Sequence, residues 1–385
     1  MTLRRWASVL GVMRSWQHAV FVAMLWSQPL QRLVSRHIRH DKSCWDKLLP
    51  LPLPEVMEAL DRFLSPGFHK YNGRPVRPLP IDMMTESDTS GYGAGIVQTH
   101  PLPQTEARWH WDRSELPKHI NWKELMATMR GLKALDLETP GLLLNRVIQN
   151  STDNTTSLRY VNKFGGRVRD LSLQAELWWH WLLEMGSELR DLFLPGVDNI
   201  RADTASRQRI DRTQWKLQPH LFHQLNSVWG PFSVDGFASG INYQMRPFWS
   251  RWPDPLMLDV DALRQDWAVE NVYAHPPYVL IPEILLLIKR QRVPECTLVA
   301  PVWHSQTWWS TLLAMTLECR VLGQMEHVCF HPTTPQQSKP KFSWKVAAFR
   351  VSSSCCNSRA TVRQLQNEFF SSMTTARRKA RSVVI

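Results

Sequence analysis

The order of apolar runs and helix-like segments between residues 81 and 210 restricts the fold more than any other feature of the sequence. Apolar runs of strand length occur at 81–87, 92–98, 107–112, 142–149 and 189–195. Segments typical of helices occur at 121–135, 155–164, 173–186 and 200–209. The order strand, strand, strand, helix, strand, helix, helix, strand, helix predicts a mixed α/β domain with a five-stranded sheet and flanking helices.

The stretch STDNTTSLRYVNKFGG (151–166) predicts a turn from a buried strand into a helix. Leu158, Val161 and Phe164 are spaced about three residues apart, and two glycines follow them. Asp153 therefore lies at the carboxyl end of a strand. Two interpretations stay open from this stretch alone, because Asp153 is suited either to cap the helix or to serve as a ligand at the sheet edge.

Three further carboxylates occupy comparable positions. Glu86 is expected at the end of the first strand, Glu124 in the first helix and Asp203 at the start of the last helix. They can meet Asp153 only if the first and fourth strands are sheet neighbours. Clustered carboxylates raise one another's pKa and need cations. Two divalent ions about 3.5–4 Å apart would also hold the attacking and leaving oxygens of a phosphodiester.

Four motifs, MTESDTSGYGAG, HINWKEL, STDNTTSLRYVNKFGG and LPGVDNIRADTASR, together resemble the RNase H domain of a retroelement reverse transcriptase. The pattern is most similar to DIRS-type retrotransposons, whose elements carry a tyrosine recombinase. The resemblance covers about residues 80–210. The resemblance implies an RNase H-like fold. It also implies an enzyme that hydrolyses the RNA strand of RNA–DNA hybrids with two Mg²⁺ or Mn²⁺ ions. The catalytic and metal-binding residues it implies are Glu86, Glu124, Asp153 and Asp203.

The first-strand ligand departs from the family pattern, which has an aspartate where this chain has Glu86. One extra methylene in a pinned strand displaces the carboxylate, so this assignment predicts weak cleavage in Mg²⁺. Asp88 is the alternative ligand. It lies two residues, roughly 6.6 Å, further along the same strand face, so its use requires a different register.

A second α/β region follows, from about 213 to 330. Its segments WGPFSVDGFASGIN, VYAHPPYVLIP and LVAPVWHSQTWW resemble a phage-type DNA adenine methyltransferase in degenerate form. The resemblance places Asp235 in the loop for S-adenosylmethionine and His275, Pro276, Pro277 and Tyr278 in the motif that holds a flipped base. The loop lacks the usual glycines, and the imidazole of His275 cannot replace the family's amide. We therefore expect no S-adenosylmethionine and no methyl transfer.

The predicted domain organisation has four parts. Residues 1–78 resemble the helical connection after a polymerase domain that is missing from this chain. Residues 79–212 are the RNase H-like domain, and 213–330 are the degenerate methyltransferase-like domain. Residues 331–385 form a basic tail that resembles the run into a recombinase core-binding region.

The formal charge of +12 over 385 residues indicates a polyanionic partner, and RNA–DNA hybrid or DNA is the first candidate. No run is long enough to span a bilayer, and the cysteines show no zinc spacing or secretory context. We expect an intracellular protein, nuclear or cytoplasmic, that acts beside the rest of a retroelement polyprotein. A non-catalytic nucleic-acid-binding remnant, or a DNA-binding recombinase fragment, is the alternative function.

Overall fold

The computed structural model describes residues 1–40, 44–48, 54–73, 75, 78–207, 214–332, 342, 344–355 and 357. The chain divides into two compact units. The first contains residues 1–106, 117–132 and 141–207, and the second contains 107–116, 133–140 and the residues from 208 onward. The basic run near residue 380 lies outside the described residues.

The first sheet has five strands in the order β3-β2-β1-β4-β5. The strands are β1 (Met83–Thr89), β2 (Gly93–His100), β3 (Thr105–His110), β4 (Val147–Thr152) and β5 (Glu188–Phe193). β1 is antiparallel to β2 and parallel to β4, and β4 is parallel to β5. The prediction of a five-stranded mixed sheet in which the first and fourth strands are neighbours is confirmed.

Four helices accompany this sheet, in the predicted order. They are α5 (Ile120–Glu138), α6 (Thr155–Asn162), α7 (Arg169–Glu184) and α8 (Ile200–Ser206), numbered after four helices nearer the N-terminus. Two glycines allow α5 and α8 to approach β2. A Cβ on Gly131 of α5 would lie 2.5 Å from Ile96, and a Cβ on Gly95 would lie 2.5 Å from Ala205 of α8. Because adjacent strand residues point to opposite faces, the two helices cover opposite faces of the sheet.

The N-terminal helices are α1 (Leu3–Ser15), α2 (Ala23–Trp26), α3 (Gln28–His40) and α4 (Pro54–Leu64). They pack on α6 and α7 within the first unit. Gln28 Nε2 donates to the backbone oxygen of Lys163 at 3.1 Å, and Arg32 forms a part-buried ion pair with Glu176. Polar contacts thus join these N-terminal helices to Lys163, which follows α6, and to α7.

The second unit contains a seven-stranded sheet in the order β12-β14-β11-β10-β7-β8-β9. The strands are β7 (Val234–Ala238), β8 (Phe248–Ser250), β9 (Asp259–Val260), β10 (Val272–Ala274), β11 (Cys296–Pro301), β12 (Thr316–Gln324) and β14 (Lys345–Val351). Strands β7 to β11 are all parallel. Their order is that of a doubly wound sheet: β8 and β9 lie on one side of β7, and β10 and β11 lie on its other side. Lys345–Val351, inside the segment predicted as a tail, is an inner strand antiparallel to both neighbours.

The remaining elements of the second unit are short. The helices are α9 (Pro219–Trp229), α10 (Ile281–Gln291), α11 (Trp309–Ala314) and α12 (Met325–Val328), and a two-stranded sheet joins β6 (Lys216–Leu217) to β13 (Cys329–Phe330). No helix among the described residues is long and apolar enough to cross a membrane.

Candidate metal centre

Three carboxylates converge at the end of the first sheet. One oxygen from each of Asp88, Glu124 and Asp153 lies within 4.8 Å of the others. Asp88 is the penultimate residue of β1, Glu124 lies in the first turns of α5, and Asp153 directly follows β4. Glu86 pairs with Ser151 in the parallel register of β1 and β4. Asp88 and Asp153 each lie two residues further on, so the fold brings them to the same level.

Asp88 is nearly buried, with 6% of its surface exposed. Ser206 Oγ donates a hydrogen bond to Asp88 Oδ2 at 2.7 Å. Burial is the main cause that raises the pKa of Asp88 to about 6. The charges of Asp153 and Asp203 contribute to this rise, and the hydrogen bond from Ser206 opposes it. The side chain is thus held in place by the last residue of α8.

Glu124 is 4% exposed, and its Oε2 has no hydrogen-bond partner among the described residues. Burial raises the pKa of Glu124 to about 9, and the nearby Asp88 and Asp153 contribute to this rise. A buried acceptor without a donor is costly, and a bound cation would satisfy it. The donor set consists of carboxylate oxygens, which suit Mg²⁺ and Mn²⁺. The residues present therefore fit a divalent metal ion.

Asp153 is exposed, and its neighbour performs the capping role. Asn154 Oδ1 accepts hydrogen bonds from the backbone nitrogens of Thr156 at 3.0 Å and Ser157 at 2.9 Å, at the start of α6. Asn154 Nδ2 also donates to Asn121 Oδ1 in α5. This arrangement leaves the carboxylate of Asp153 available for a ligand. The N-cap interpretation of Asp153 is therefore wrong.

The structure does not bring Glu86 into the group. β1 continues three residues past Glu86, to Thr89, so Glu86 does not end the strand. Its Oε1 lies 3.9 Å from Arg201 Nη1 of α8. Residues two apart on a strand are separated by roughly 6.6 Å. Asp88, the alternative, is the first-strand carboxylate that joins Glu124 and Asp153.

Asp203 lies beside the group without belonging to it. Asp203 Oδ1 accepts from Arg207 Nε at 2.5 Å, four residues later. Its charge nevertheless contributes to the raised pKa of Asp88, so the two carboxylates are close. Of the four predicted ligands, the structure brings Glu124 and Asp153 together and leaves Glu86 and Asp203 outside.

Sequence reasoning missed the residues that support the carboxylates. Asn199, 1% exposed, donates from Nδ2 to the backbone oxygen of Ser87 at 3.0 Å and ties the start of α8 to β1. Gly196 lies so close to Asp153 that a Cβ would be 2.9 Å from Asp153 Oδ2. Ser206 follows Asp203 by three residues, so helical spacing alone predicts that it shares a face with that carboxylate.

A buried polar network is centred on Asn150 of β4. Asn150 Oδ1 accepts from Thr85 Oγ1, and Asn150 Nδ2 donates to Ser87 Oγ, Thr128 Oγ1 and Asp191 Oδ1. Asp191 is 1% exposed, and its Oδ2 has no hydrogen-bond partner within the part of the chain that the structure describes. Burial raises the pKa of Asp191 to about 7, against the Asn150 hydrogen bond. The network joins β1, β4, β5 and α5 through buried side chains.

The predicted methyltransferase-like residues lie in the second unit. Asp235 is buried in β7, where its Oδ2 accepts from the backbone nitrogen of Gln244 at 2.8 Å. His275, Pro276, Pro277 and Tyr278 follow β10 directly and line a cavity of about 530 Å³. Asp235 does not line this cavity.

None of the protein-family models matches the chain, and no curated protein does. Solved structures do show matches. LC11-RNase H1 in complex with an RNA/DNA hybrid is 19% identical over 32% of this chain and 91% of that chain, with a TM-score of 0.26. The RNase H1 of the archaeon Halobacterium salinarum is 12% identical over 32% and 92%, with a TM-score of 0.23. The foamy viral protease-reverse transcriptase in complex with double-stranded DNA is 16% identical over 50% and 34%, with a TM-score of 0.21.

Proposed function

We propose that this chain is an RNase H-type endoribonuclease that hydrolyses the RNA strand of RNA–DNA hybrids. The observation that carries the proposal is the group of Asp88, Glu124 and Asp153, with one oxygen of each within 4.8 Å. Glu124 Oε2, which has no hydrogen-bond partner in the described ranges, is the strongest sign within this group that a cation belongs there.

The proposed roles follow from the position of each carboxylate. Asp88 and Asp153, on adjacent parallel strands, would hold the metal ions between the strand ends, and Glu124 would close the group from α5. Asp203 would complete the ligand set once it separates from Arg207. Bound Mg²⁺ or Mn²⁺, two ions in the full site, would activate the attacking water and stabilise the leaving oxygen. Ser206 and Asn199 would keep α8 and β1 in fixed positions during this reaction.

The partner in this proposal is a nucleic acid. The formal charge of +12 favours binding to phosphates, and RNase H-type recognition depends on helix shape and 2′-hydroxyl groups rather than on base edges. The retroelement origin is part of the same proposal. The chain would derive from a DIRS-type reverse transcriptase polyprotein, with segment 1–78 as its connection and the tail leading toward a recombinase.

For the second unit we propose a degenerate adenine methyltransferase-like fold that transfers no methyl group. The parallel order of β7 to β11 and the antiparallel β14 between β11 and β12 support this assignment. His275 at the motif's first position, and the burial of Asp235 away from the cavity, are consistent with lost methyl transfer.

A non-catalytic nucleic-acid-binding role is the second candidate, and one observation favours it. Asp203 is paired with Arg207 rather than grouped with the other carboxylates. The two candidates differ in a cleavage assay on labelled hybrid, with Mg²⁺, with Mn²⁺ and with a chelator. A nuclease cuts the hybrid only with metal, and its Asp153→Asn variant does not cut. A non-catalytic binding protein binds the hybrid under all three conditions and cuts it under none.

A further inference from the structure

The segment that joins β5 to α8, the 193–200 loop, is fixed to two other strands of the first sheet. The backbone nitrogen of Leu194 donates to the backbone oxygen of Thr152 in β4 at 3.0 Å. Asn199 Nδ2 donates to the backbone oxygen of Ser87 in β1 at 3.0 Å. Because β1 and β4 lead to two of the grouped carboxylates, these contacts hold the loop at the same end of the sheet as the metal centre.

This anchored loop exposes three large apolar side chains. Phe193 is 55% exposed, Val197 is 81% exposed and Ile200 is 66% exposed. Single exposed apolar residues are common on protein surfaces and need no explanation. Three of them on one short loop, whose backbone is tied to neighbouring strands, instead indicate a surface that contacts a ligand.

The metal centre opens to solvent on the side of this loop. Asp88 and Glu124 are buried, whereas Asp153 is exposed. A Cβ on Gly196 would lie 2.9 Å from Asp153 Oδ2, so the loop backbone lies against the exposed member of the group. A polymer that brings a reacting group to the metal centre therefore lies along the 193–200 loop.

Charge decides between a nucleic acid and a protein as the occupant of this surface. Arg201, directly after the loop, has a side chain that is 55% exposed, and its Nη1 lies 3.9 Å from Glu86 Oε1. The core of a protein–protein interface is depleted of charged residues, so apolar side chains beside an arginine and a group of carboxylates fit such an interface poorly. A nucleic-acid strand alternates phosphates with sugars, whose C–H faces are apolar. Such a strand can place a phosphate at the metal centre while its sugars meet the loop, and the formal charge of +12 also favours a polyanion.

We propose that Phe193, Val197 and Ile200 form an apolar contact with the sugars of the nucleic-acid strand whose phosphate lies at the metal centre. This inference rests on the proposed function and deepens it, because it assigns a part of the substrate to residues outside the carboxylate group. The contact supplies affinity that does not depend on phosphate charge, and it is the same before and during the cleavage step.

The first measurement is hybrid binding in a chelator, where metal-dependent cleavage cannot contribute. The anisotropy of an end-labelled RNA–DNA hybrid is followed at several salt concentrations. Phe193→Ser and Val197→Ser should each weaken binding about fivefold, because each variant loses part of an apolar contact. The slope of log affinity against log salt concentration should stay that of the unmodified chain, since no phosphate contact is removed. Unchanged hybrid affinity in both variants overturns the proposal, and so does a reduced salt slope.

Two controls show whether the lost contact is one with sugars. Leu177→Ser removes a 64% exposed apolar side chain from α7 and should bind the hybrid like the unmodified chain. Inorganic polyphosphate carries phosphate charge without sugars, so both loop variants should keep the affinity of the unmodified chain for it, measured by competition with the hybrid. An equal loss of affinity for polyphosphate and for hybrid overturns the proposal. Sedimentation velocity covers the remaining occupant, because a change of mass in the loop variants would show that the loop binds a second copy of the chain.

The second measurement separates a substrate contact from the positioning of Asp153. With Mg²⁺, the two loop variants should raise KM about fivefold and leave kcat unchanged, because this contact binds the ground state and the transition state alike. Their Mn²⁺ affinity, measured by calorimetry, should also stay unchanged. A lower kcat or weaker Mn²⁺ binding would mean that the loop acts by holding Asp153, and would overturn the contact with the sugars. Val197 is the more exposed position, so Val197→Ser decides if circular dichroism shows that Phe193→Ser does not fold.

Failure of this proposal and failure of the proposed hydrolysis give different results. Hybrid binding that depends on Phe193 and Val197, without any cleavage, supports the contact and removes the hydrolysis. Metal-dependent cleavage together with unchanged hybrid affinity and unchanged KM in the loop variants overturns the contact alone. A chain that binds no hybrid under any condition overturns both.

Discussion

Asp88 and Asp153 lie level at the ends of adjacent parallel strands, two residues beyond the pair formed by Glu86 and Ser151. This relationship makes Asp88, and not Glu86, the first-strand carboxylate of the group with Glu124. The first-strand member of the group is then an aspartate of ordinary length, so the weak cleavage predicted from the extra methylene of Glu86 is no longer expected.

The first prediction separates the two first-strand carboxylates. Asp88→Asn should reduce hybrid cleavage by at least about a hundredfold, because catalytic geometry depends on each ligand at the 1 Å scale. Glu86→Asp, the matched control on the same strand, should change the rate less than about threefold. Single-turnover cleavage of labelled hybrid measures both. A large gain from Glu86→Asp, together with an active Asp88→Asn variant, would restore Glu86 as the ligand.

The second prediction concerns the stability of the metal-free chain. Burial raises the pKa of Glu124 from an ordinary 4.5 to about 9 and that of Asp88 from 3.8 to about 6. The folded state therefore binds more protons than the unfolded state in this pH range. The free energy of unfolding consequently falls as pH rises between about pH 4 and 9. Melting temperatures without metal should fall from pH 6 to pH 9. Glu124→Gln should flatten this fall, and an unchanged slope in that variant would show that Glu124 titrates normally.

The third prediction concerns metal binding itself. Because carboxylates must be deprotonated to bind a metal, Mn²⁺ binding to the folded chain should release protons and should tighten between pH 6 and pH 9. Calorimetry in buffers of different ionisation enthalpy measures the number of protons released. Glu124→Gln should release fewer protons and bind Mn²⁺ more weakly. Binding that is independent of pH would mean that Glu124 is not a ligand.

The fourth prediction tests the close approach of Gly196 to Asp153. Gly196→Ala should weaken Mn²⁺ binding and slow cleavage by about tenfold. The new Cβ would lie 2.9 Å from Asp153 Oδ2, so the carboxylate must move. Gly67→Ala is the control, since its nearest neighbour is Ser65 Oγ at 3.9 Å. Circular dichroism should show both variants folded. Equal cleavage rates of the Gly196→Ala and Gly67→Ala variants would show that Asp153 does not lie against Gly196.

The fifth prediction concerns Asp191, which accepts a hydrogen bond from Asn150 in the buried polar network. Asp191→Asn is nearly isosteric and removes a buried carboxyl group whose pKa is raised to about 7. The folded state keeps this proton up to about pH 7 and the unfolded state only up to about pH 3.8, so stability is lost as pH rises between these values. The variant should therefore be more stable at pH 8 by on the order of 1 kcal/mol. Urea unfolding at pH 6 and pH 8 measures the difference. Asp170→Asn, at an exposed position of α7, is the control.

The sequence predicted the order of strands and helices in the first sheet because apolar periodicity and turn residues are local signals. The strands β1 and β4 are neighbours, as convergence of the carboxylates requires, and Glu124 and Asp153 lie in one group. The choice between Glu86 and Asp88 depended on where β1 ends. Strand ends are set by pairing with β2 and β4, and the hairpin carries β1 to Thr89, beyond the run predicted from the sequence.

The partners of the carboxylates could not be predicted in the same way. Ser206, Asn199 and Gly196 act across more than 40 residues of sequence on Asp88, Ser87 and Asp153. These contacts exist only after α8 has packed on β2, and no local pattern specifies them. The pairing of Asp203 with Arg207 was accessible, because an i,i+4 spacing on a helix predicts it.

The most direct test of the central claim is the chemistry of the cut. RNA–DNA hybrid with labelled RNA ends is incubated with the chain in Mg²⁺, in a chelator, and with the Asp153→Asn variant, and the product termini are mapped. Attack of water at phosphorus with the 3′ oxygen leaving gives 3′-hydroxyl and 5′-phosphate ends only with Mg²⁺ and intact Asp153. Cutting in the chelator, cyclic phosphate ends, or equal cutting by the Asp153→Asn chain would contradict the account.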